Sequence, residues 1–369
     1  MESLRLSGGT MIPQVGFGTF KIPREKTQEA VEQALELGYR HIDGAAAYLN
    51  EREVGAALRA TGMTGKVFVT TKLRNCDQGH DQALRAFEES RERLGVDVVD
   101  LYLIHWPCPA RDLYVETWRA LAELRDEGAV REIGVSNFLV GHLQRLVLET
   151  GVVPAVDQIE SHPRFWQPEV SAWCREHGVV VEAYQPLGRG RDIESAPVRG
   201  AAEAHGVTCA QVVLRWHVQS GRVVIPKSVH PERMRENLDL FGFELTDAEM
   251  DAISALHDDA RRLSGEPAGR SGHARPHPEL GAREGRPLAI LTWWGLPLSC
   301  GPARGPAWGE SHAPRFQGFR PFATSRVVRE WVPQNSRRGG ADERHPGSTV
   351  HDSVPARRRR PRTDFAAGC

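Results

Sequence analysis

Asp43, Tyr48, Lys72 and His105 each fall at the C-terminal end of, or just after, one of three apolar strand-like runs: YRHID (39–43), VFVTTK (67–72) and VVDLYLIH (98–105). A parallel barrel carries its chemistry at that end of its strands. A free phenol titrates near ~10 and is a poor acid at neutral pH unless a cation stabilises its anion. Lys72 is the cation expected to do this, lowering the pKa of Tyr48. Asp43 is the buried carboxylate expected to hold the ammonium and keep it charged, and His105 a donor that orients a carbonyl oxygen toward Tyr48. Together they describe an acid that protonates a carbonyl as hydride arrives. Taken singly, each has a plainer explanation. Asp43 and Lys72 would make a buried ion pair, though such pairs are a poor source of stability; His105 would be a core histidine and Tyr48 a loop residue. Their convergence at one set of strand ends favours chemistry.

These residues need elements to carry them. Further strand-like segments lie near 131–136, 155–159, 179–184 and 222–226, after a first strand VGFGTF (15–20). Helical spacing separates them, as in EKTQEAVEQALELG and HDQALRAFEESRERLG. Residues 196–219 are expected to hold one helix, and PERMRENLDLF and TDAEMDAISALH two more after the eighth strand. The N-terminal LRLSGGTMIPQ reads as a hairpin with a Gly-Gly turn, placed to plug a barrel floor. Eight strands alternating with helices imply an α/β fold, a (β/α)₈ TIM barrel; an open doubly wound sheet is the alternative that alternation alone leaves standing.

Composition excludes several functions. The 369 residues carry a formal net charge of -1, which offers no overall attraction to nucleic acid or an anionic membrane, and 40% are hydrophobic, enough for a full core. No apolar run approaches the roughly 20 residues of a membrane span, and MESLRLSGGTM lacks a leader pattern, so a cytoplasmic location is expected. The 6 cysteines show neither CxxC spacing nor a Cys/His pattern, so reduced thiols and no metal are expected. His273 and His277 are separated by Pro276 and do not suggest a metal site.

No GxGxxG follows the first strand and no YxxxK is present, so a nicotinamide cofactor needs a mode of binding other than the Rossmann fingerprint. The segments GYRHIDGAAAYLNEREVGAAL, VFVTTKL, DLYLIHWP, GVSNF, VDQIESHP, AYQPLGRG and IPKSVHPERMRENLDLFGFELTDAEM, in this order, resemble the aldo-keto reductase family across roughly residues 3–266. The likeness is greatest to its short bacterial members that reduce 2,5-diketo-gluconate and other carbonyls. The resemblance implies NADPH-dependent reduction of an aldehyde or ketone, with the cofactor across the barrel mouth and Asp43, Tyr48, Lys72 and His105 as catalytic residues. It implies nicotinamide carboxamide contacts from Ser136, Asn137 and Gln158, ring stacking on Tyr184, and adenine contacts from Glu236 and Asn237. Gly18, Thr19 and Val229 join the expected cofactor contacts. Lys227, Ser228 and Arg233 combine charge, donors and a helix N-terminus suited to a 2′-phosphate. Ser136-Asn137 alone would read as a helix cap before FLVGHLQRLVLE.

Phe20 and Trp106 are expected to wall the substrate pocket, and Arg111 to be either a carboxylate contact or a solvated charge. Three positions depart from the family pattern: Gly44 where Thr is common, Leu49 where Gly is common, and Asp157 where Asn is common. Leu49 is expected to shift Tyr48 slightly; Asp157 is expected to add a charge beside the carboxamide site or to point to solvent. The domain division expected is a barrel over 1–269 and a disordered or poorly structured tail over 270–369. That tail has no lysine and an Arg run at 357–360, and reads either as a basic arm or as out-of-frame translation of a GC-rich gene. The frame-change reading is favoured, because the break comes where a family member would be close to ending. A monomer acting on a small carbonyl compound, without nucleic acid or membrane partners, is the expectation. Two alternatives stand beside it: a cofactor-binding regulatory subunit, as barrel-like β subunits of potassium channels resemble this family, and a catalytically impaired reductase-like protein.

Overall fold

The computed structural model describes residues 2–267; the expected tail at 270–369, with its Arg run, lies outside them. Strands β1 (Ser3–Arg5) and β2 (Met11–Pro13) form the antiparallel N-terminal hairpin. The barrel then runs β3 (Phe17–Gly18), α1 (Arg24–Glu36), β4 (His41–Asp43), α2 (Glu51–Ala60), β5 (Phe68–Leu73), α3 (His80–Leu94), β6 (Val99–Ile104) and α4 (Tyr114–Asp126). It continues through β7 (Val130–Ser136), α5 (Val140–Thr150), β8 (Val156–Glu160), α6 (Pro168–Glu176), β9 (Val180–Tyr184), α7 (Ala196–His205), α8 (Cys209–Gln219) and β10 (Val223–Val224). Helices α9 (Pro231–Leu238) and α10 (Asp247–Ser254) follow.

Strands β3 to β10 are all parallel and neighbour one another in chain order. A bridge between Val15 and Val224, with Gly16 N–H donating to the Val224 carbonyl at 2.8 Å and Val224 N–H to Gln14 O at 2.8 Å, joins last strand to first. The sheet is therefore a closed cylinder, and the doubly wound alternative is excluded. Gly18 is where the joint is tightest: a Cβ there would stand 2.7 Å from the Ile225 carbonyl oxygen, so only glycine lets the strands meet.

Side chains alternate across the barrel wall. Outward Ile42, Val69, Tyr102, Ile133, Ile159 and Val181 pack under the helices, whose apolar faces follow helical spacing; α3 buries Ala83, Ala86, Phe87, Ser90 and Leu94. Inward Phe68, Leu101, Leu103, Val156 and Val223 form a separate floor cluster with Leu6 and Ile12 of the hairpin, which plugs the barrel as expected. The 196–219 segment holds two helices rather than one. Gly206 adopts φ 65, and Thr208 caps α8 reciprocally with Gln211.

Backbone strain is distributed unevenly. Lys21, Leu49, Cys108, Asp112, Asn137, Gln167, Gln185 and Arg189 have positive φ, and all eight lie between the C-terminal end of a strand and the next helix. A left-handed conformation costs a non-glycine residue roughly 1–2 kcal/mol and concentrates where function holds it in place. The floor-side loops instead leave their helices through glycines such as Gly95.

Candidate active site

Above the apolar floor the barrel interior turns polar. A middle rung carries His41, Thr70, Gln158 and Glu182, and the rung above carries Asp43, Lys72, Ser136, Glu160 and Tyr184. Lys72 is fully buried, and its ammonium donates to Asp43 Oδ2 at 2.6 Å, to the Gly44 carbonyl oxygen at 2.8 Å and to the Tyr48 hydroxyl at 3.4 Å. All three of its hydrogens are thus used. Burial pulls the Lys72 pKa down, but Asp43, Tyr48 and Glu182 together pull it further up, so it stays charged. Tyr48 is held in the short turn Ala46–Tyr48, with its ring 4.9 Å from Phe20 and 5.7 Å from the ring of His105. The four expected catalytic residues converge on one mouth.

The expected direction of the Tyr48 shift is corrected. Burial pushes the phenol up, Lys72 pulls it down, Asp43 and Glu182 push it up again, and the balance is a pKa pushed up to about 12. Lys72 limits the rise rather than making Tyr48 more acidic than free phenol. The residue is consequently fully protonated at neutral pH, with a cation in place to receive any negative charge that forms.

Ser136, Asn137, Gln158 and Tyr184 also gather at this rim, bonded mainly to one another. Ser136 Oγ donates to the Gln158 carbonyl at 2.7 Å, so it does not cap α5, whose N-cap is Leu139. Asn137 Nδ2 donates to the His105 carbonyl at 3.0 Å, and its Oδ1 accepts from the Tyr184 hydroxyl at 2.6 Å. Gln158 Nε2 points inward, donating to Asp43 Oδ2 and Glu182 Oε2, both at 2.8 Å. Thr19 Oγ1 donates to the Asp43 carbonyl at 2.8 Å and Gly18 N–H to Pro226 O at 3.2 Å, giving both a scaffold role.

Lys227 and Arg233 flank the start of α9, exposed and without a carboxylate partner among the described residues, with half-buried Val229 between them. Ser228 Oγ accepts from the His230 amide at 3.1 Å. This donor set suits an anionic phosphate beside a helix N-terminus. Glu236 is half-buried, whereas Asn237 is buried beside the Tyr39 hydroxyl, which donates to Met234 O at 2.9 Å. Trp106 is buried and Phe20 is 46% exposed. The half-buried Arg111 guanidinium donates to the Asn75 carbonyl through one of its nitrogens.

The departures from the family pattern resolve individually. A Cβ at Gly44 would meet only ordinary contacts, 3.5 Å from Thr70 O and 3.8 Å from Thr19 Oγ1. Leu49 adopts φ 61, the conformation glycine favours, yet Lys72 still reaches Tyr48. Asp157 neither flanks the carboxamide site nor meets solvent. It points outward into the sheet–helix layer, fully buried near Cys174, with no hydrogen-bond partner for either carboxyl oxygen. Burial raises its pKa well above the usual carboxylate range. Such a group stabilises the fold below the unfolded-state carboxyl pKa, and that contribution is lost as pH rises toward the folded value. Asp157→Asn is therefore expected to gain about 1–3 kcal/mol over the wild type as pH rises from about 5 to 8, checked by denaturant unfolding at each pH.

Three parts of the site escaped sequence reasoning. Glu182 stands fully buried beneath the rung of Asp43 and Lys72, 3.4 Å from His41. Its signal was parity: in VVVEAY it lies two residues before Tyr184 and so shares its inward face. Glu160 accepts the backbone amides of Leu263 at 2.5 Å and Ser264 at 2.6 Å, and Ser264 Oγ lies 3.0 Å from the Tyr184 hydroxyl. No local pattern announces that long-range contact.

The sequence description of the Aldo/keto reductase family matches residues 7–192 and 194–258. The chain belongs to this family. Like its relatives in the aldo/keto reductase family, it is an oxidoreductase. An aldo-keto reductase from Mycobacterium sp. (strain JLS) is 50% identical over 263 residues, covering 71% of this chain and 95% of the relative. The methylglyoxal reductase DkgA of Escherichia coli (strain K12) is 44% identical over 267 residues, covering 72% and 96%. Among solved structures, a Gox0644 variant in complex with NADPH is 45% identical, covers 73% of this chain and 98% of its own, and superposes with a TM-score of 0.71. No described helix is long and apolar enough to cross a membrane.

Proposed function

We propose that this aldo/keto reductase uses NADPH to reduce a small, uncharged aldehyde, ketone or 2-oxoaldehyde to the alcohol, with Tyr48 as the general acid. The observation that carries the reading is the ammonium of Lys72, saturated by Asp43, Gly44 and the Tyr48 hydroxyl, at a mouth where Phe20 and His105 flank the Tyr48 ring. The cofactor, when bound, supplies hydride to the carbonyl carbon. Tyr48 gives its proton to the carbonyl oxygen, and Lys72 stabilises the phenolate left behind. His105 orients that oxygen toward the hydroxyl, and Asp43 keeps the ammonium in place. The aromatic wall of Phe20 and His105 suits a small neutral compound such as methylglyoxal. Relatives named methylglyoxal and glyoxal reductase support the same class.

NADPH absorbance followed with methylglyoxal, glyoxal and 2,5-diketo-gluconate tests this reading; NADPH binding without oxidation by any carbonyl would favour the regulatory-subunit alternative. Lys227, Ser228 and Arg233 are assigned to the 2′-phosphate, and Ser136, Gln158 and Tyr184 to the nicotinamide end. Replacing Lys227 and Arg233 together by Ala is expected to weaken NADPH binding by about tenfold to a hundredfold while leaving NADH binding and the NADPH-saturated kcat within about twofold of wild type. Titration of both cofactors by protein fluorescence checks it. Equal losses for NADH and NADPH would show that the pair does not read the phosphate.

A further inference from the structure

Beneath the catalytic rung lies a polar column that the proposed reaction does not use. His41 Nδ1 lies 3.3 Å from the Pro13 carbonyl oxygen, so that nitrogen carries the hydrogen and Nε2 is left to accept. His41 Nε2 lies 3.1 Å from Thr70 Oγ1 and 3.4 Å from Glu182 Oε1, a buried oxygen that makes no hydrogen bond. Glu182 Oε2 accepts from Gln158 Nε2, which also donates to Asp43 Oδ2, and Asp43 in turn holds Lys72. An unbroken chain of contacts thus runs from the barrel floor to the Tyr48 hydroxyl. Glu182 sits at its middle, fully buried.

We propose that Glu182 is a positioning residue for the carbonyl reduction: uncharged, it fixes Asp43 through the Gln158 amide and leaves Lys72 with a single counter-ion, and its ionisation weakens Tyr48 as an acid. The proposal rests on the reductase reading given above. The facing groups decide the charge. From β4 come His41 and Asp43 and from β5 Lys72; β8 offers Gln158, with Glu160 one rung higher; β10 offers Val223; and Tyr184 is the next inward residue on β9 itself. One buried ammonium balances only one of two buried carboxylates. Burial and the charge of Asp43 raise Glu182 to about 8, against the Gln158 hydrogen bond and Lys72, so it carries a proton at neutral pH. Burial holds His41 down at about 3, with Lys72 adding to that effect, so it remains neutral and able to accept the Glu182 hydrogen. The charge of ionised Glu182 is one of the influences that hold the pKa of Tyr48 up, so its ionisation makes Tyr48 a weaker acid, which protonates the carbonyl oxygen more slowly.

The test uses the full chain, saturating NADPH and methylglyoxal. Wild-type kcat is expected to fall about tenfold between about pH 7 and about pH 9. Glu182→Gln keeps an acceptor for Gln158 and a donor for His41 but cannot ionise, so its kcat should change by less than about twofold over the same range. Glu182→Leu removes both contacts and should lower kcat by about tenfold at every pH, while NADPH affinity stays within about twofold. Asp157→Asn, which also removes a buried carboxyl but outside the barrel wall, should keep the wild-type slope. An unaltered alkaline decline in Glu182→Gln, or wild-type kcat in Glu182→Leu, overturns the proposal and leaves the reductase reading intact. Absence of turnover with every carbonyl in the wild type overturns both.

Discussion

Tyr48→Phe is expected to lower kcat for carbonyl reduction by about 10²–10⁴-fold while NADPH affinity stays within about twofold, since a positioned general acid contributes that much to a proton-transfer step. The substitution removes one oxygen and preserves the ring that packs against Phe20 and faces His105. Stopped-flow turnover, alongside an equilibrium NADPH titration, separates lost chemistry from lost binding. Because burial leaves the hydroxyl with a pKa near about 12, the wild-type donor is protonated across the physiological range, and the residual activity of the variant should not recover at acid pH. Turnover equal to wild type would remove Tyr48 from its role.

The second large effect belongs to Lys72. Changing it to Met leaves Asp43 as an uncompensated carboxylate in the barrel interior, an arrangement that destabilises proteins by about 3–5 kcal/mol. It also removes the cation that counters the effect of burial on Tyr48, so kcat should fall at least as far as in Tyr48→Phe. The double variant Asp43→Asn with Lys72→Met should regain much of the stability, since the charge is gone, but none of the activity. Urea unfolding of the two variants, with kcat measured on the same preparations, gives the comparison. A Lys72→Met protein as stable as wild type would mean that the pair is not buried in solution.

Particular elements explain what could be read from the chain. The strands were legible to within a few residues because each is a short β-branched run, and the convergence of Asp43, Tyr48, Lys72 and His105 because they stand at the ends of those runs. The helix pair over 196–219 was also written there, in the Gly206 and Thr208-x-x-Gln211 signals, but apolar spacing on both sides masked the break. Parity along β8 carried the orientation of Asp157: if Gln158 faces inward, its neighbour faces the helices. The sign of the Tyr48 shift was not legible, because it depends on how completely the phenol is buried, a property of the assembled barrel. The meeting of Glu160 with Leu263 and Ser264 joins residues more than a hundred positions apart, which no local pattern encodes.

The cylinder is joined where its first and last strands are shortest, two residues each, through the pairing of Val15 with Val224 and the contact made possible by Gly18. This seam is the thinnest part of the wall. Phe20 follows one lip of it, and Lys227 and Ser228 follow the other. With so few strand hydrogen bonds across it, this joint is where the staves of the barrel are expected to part first when the fold is loosened.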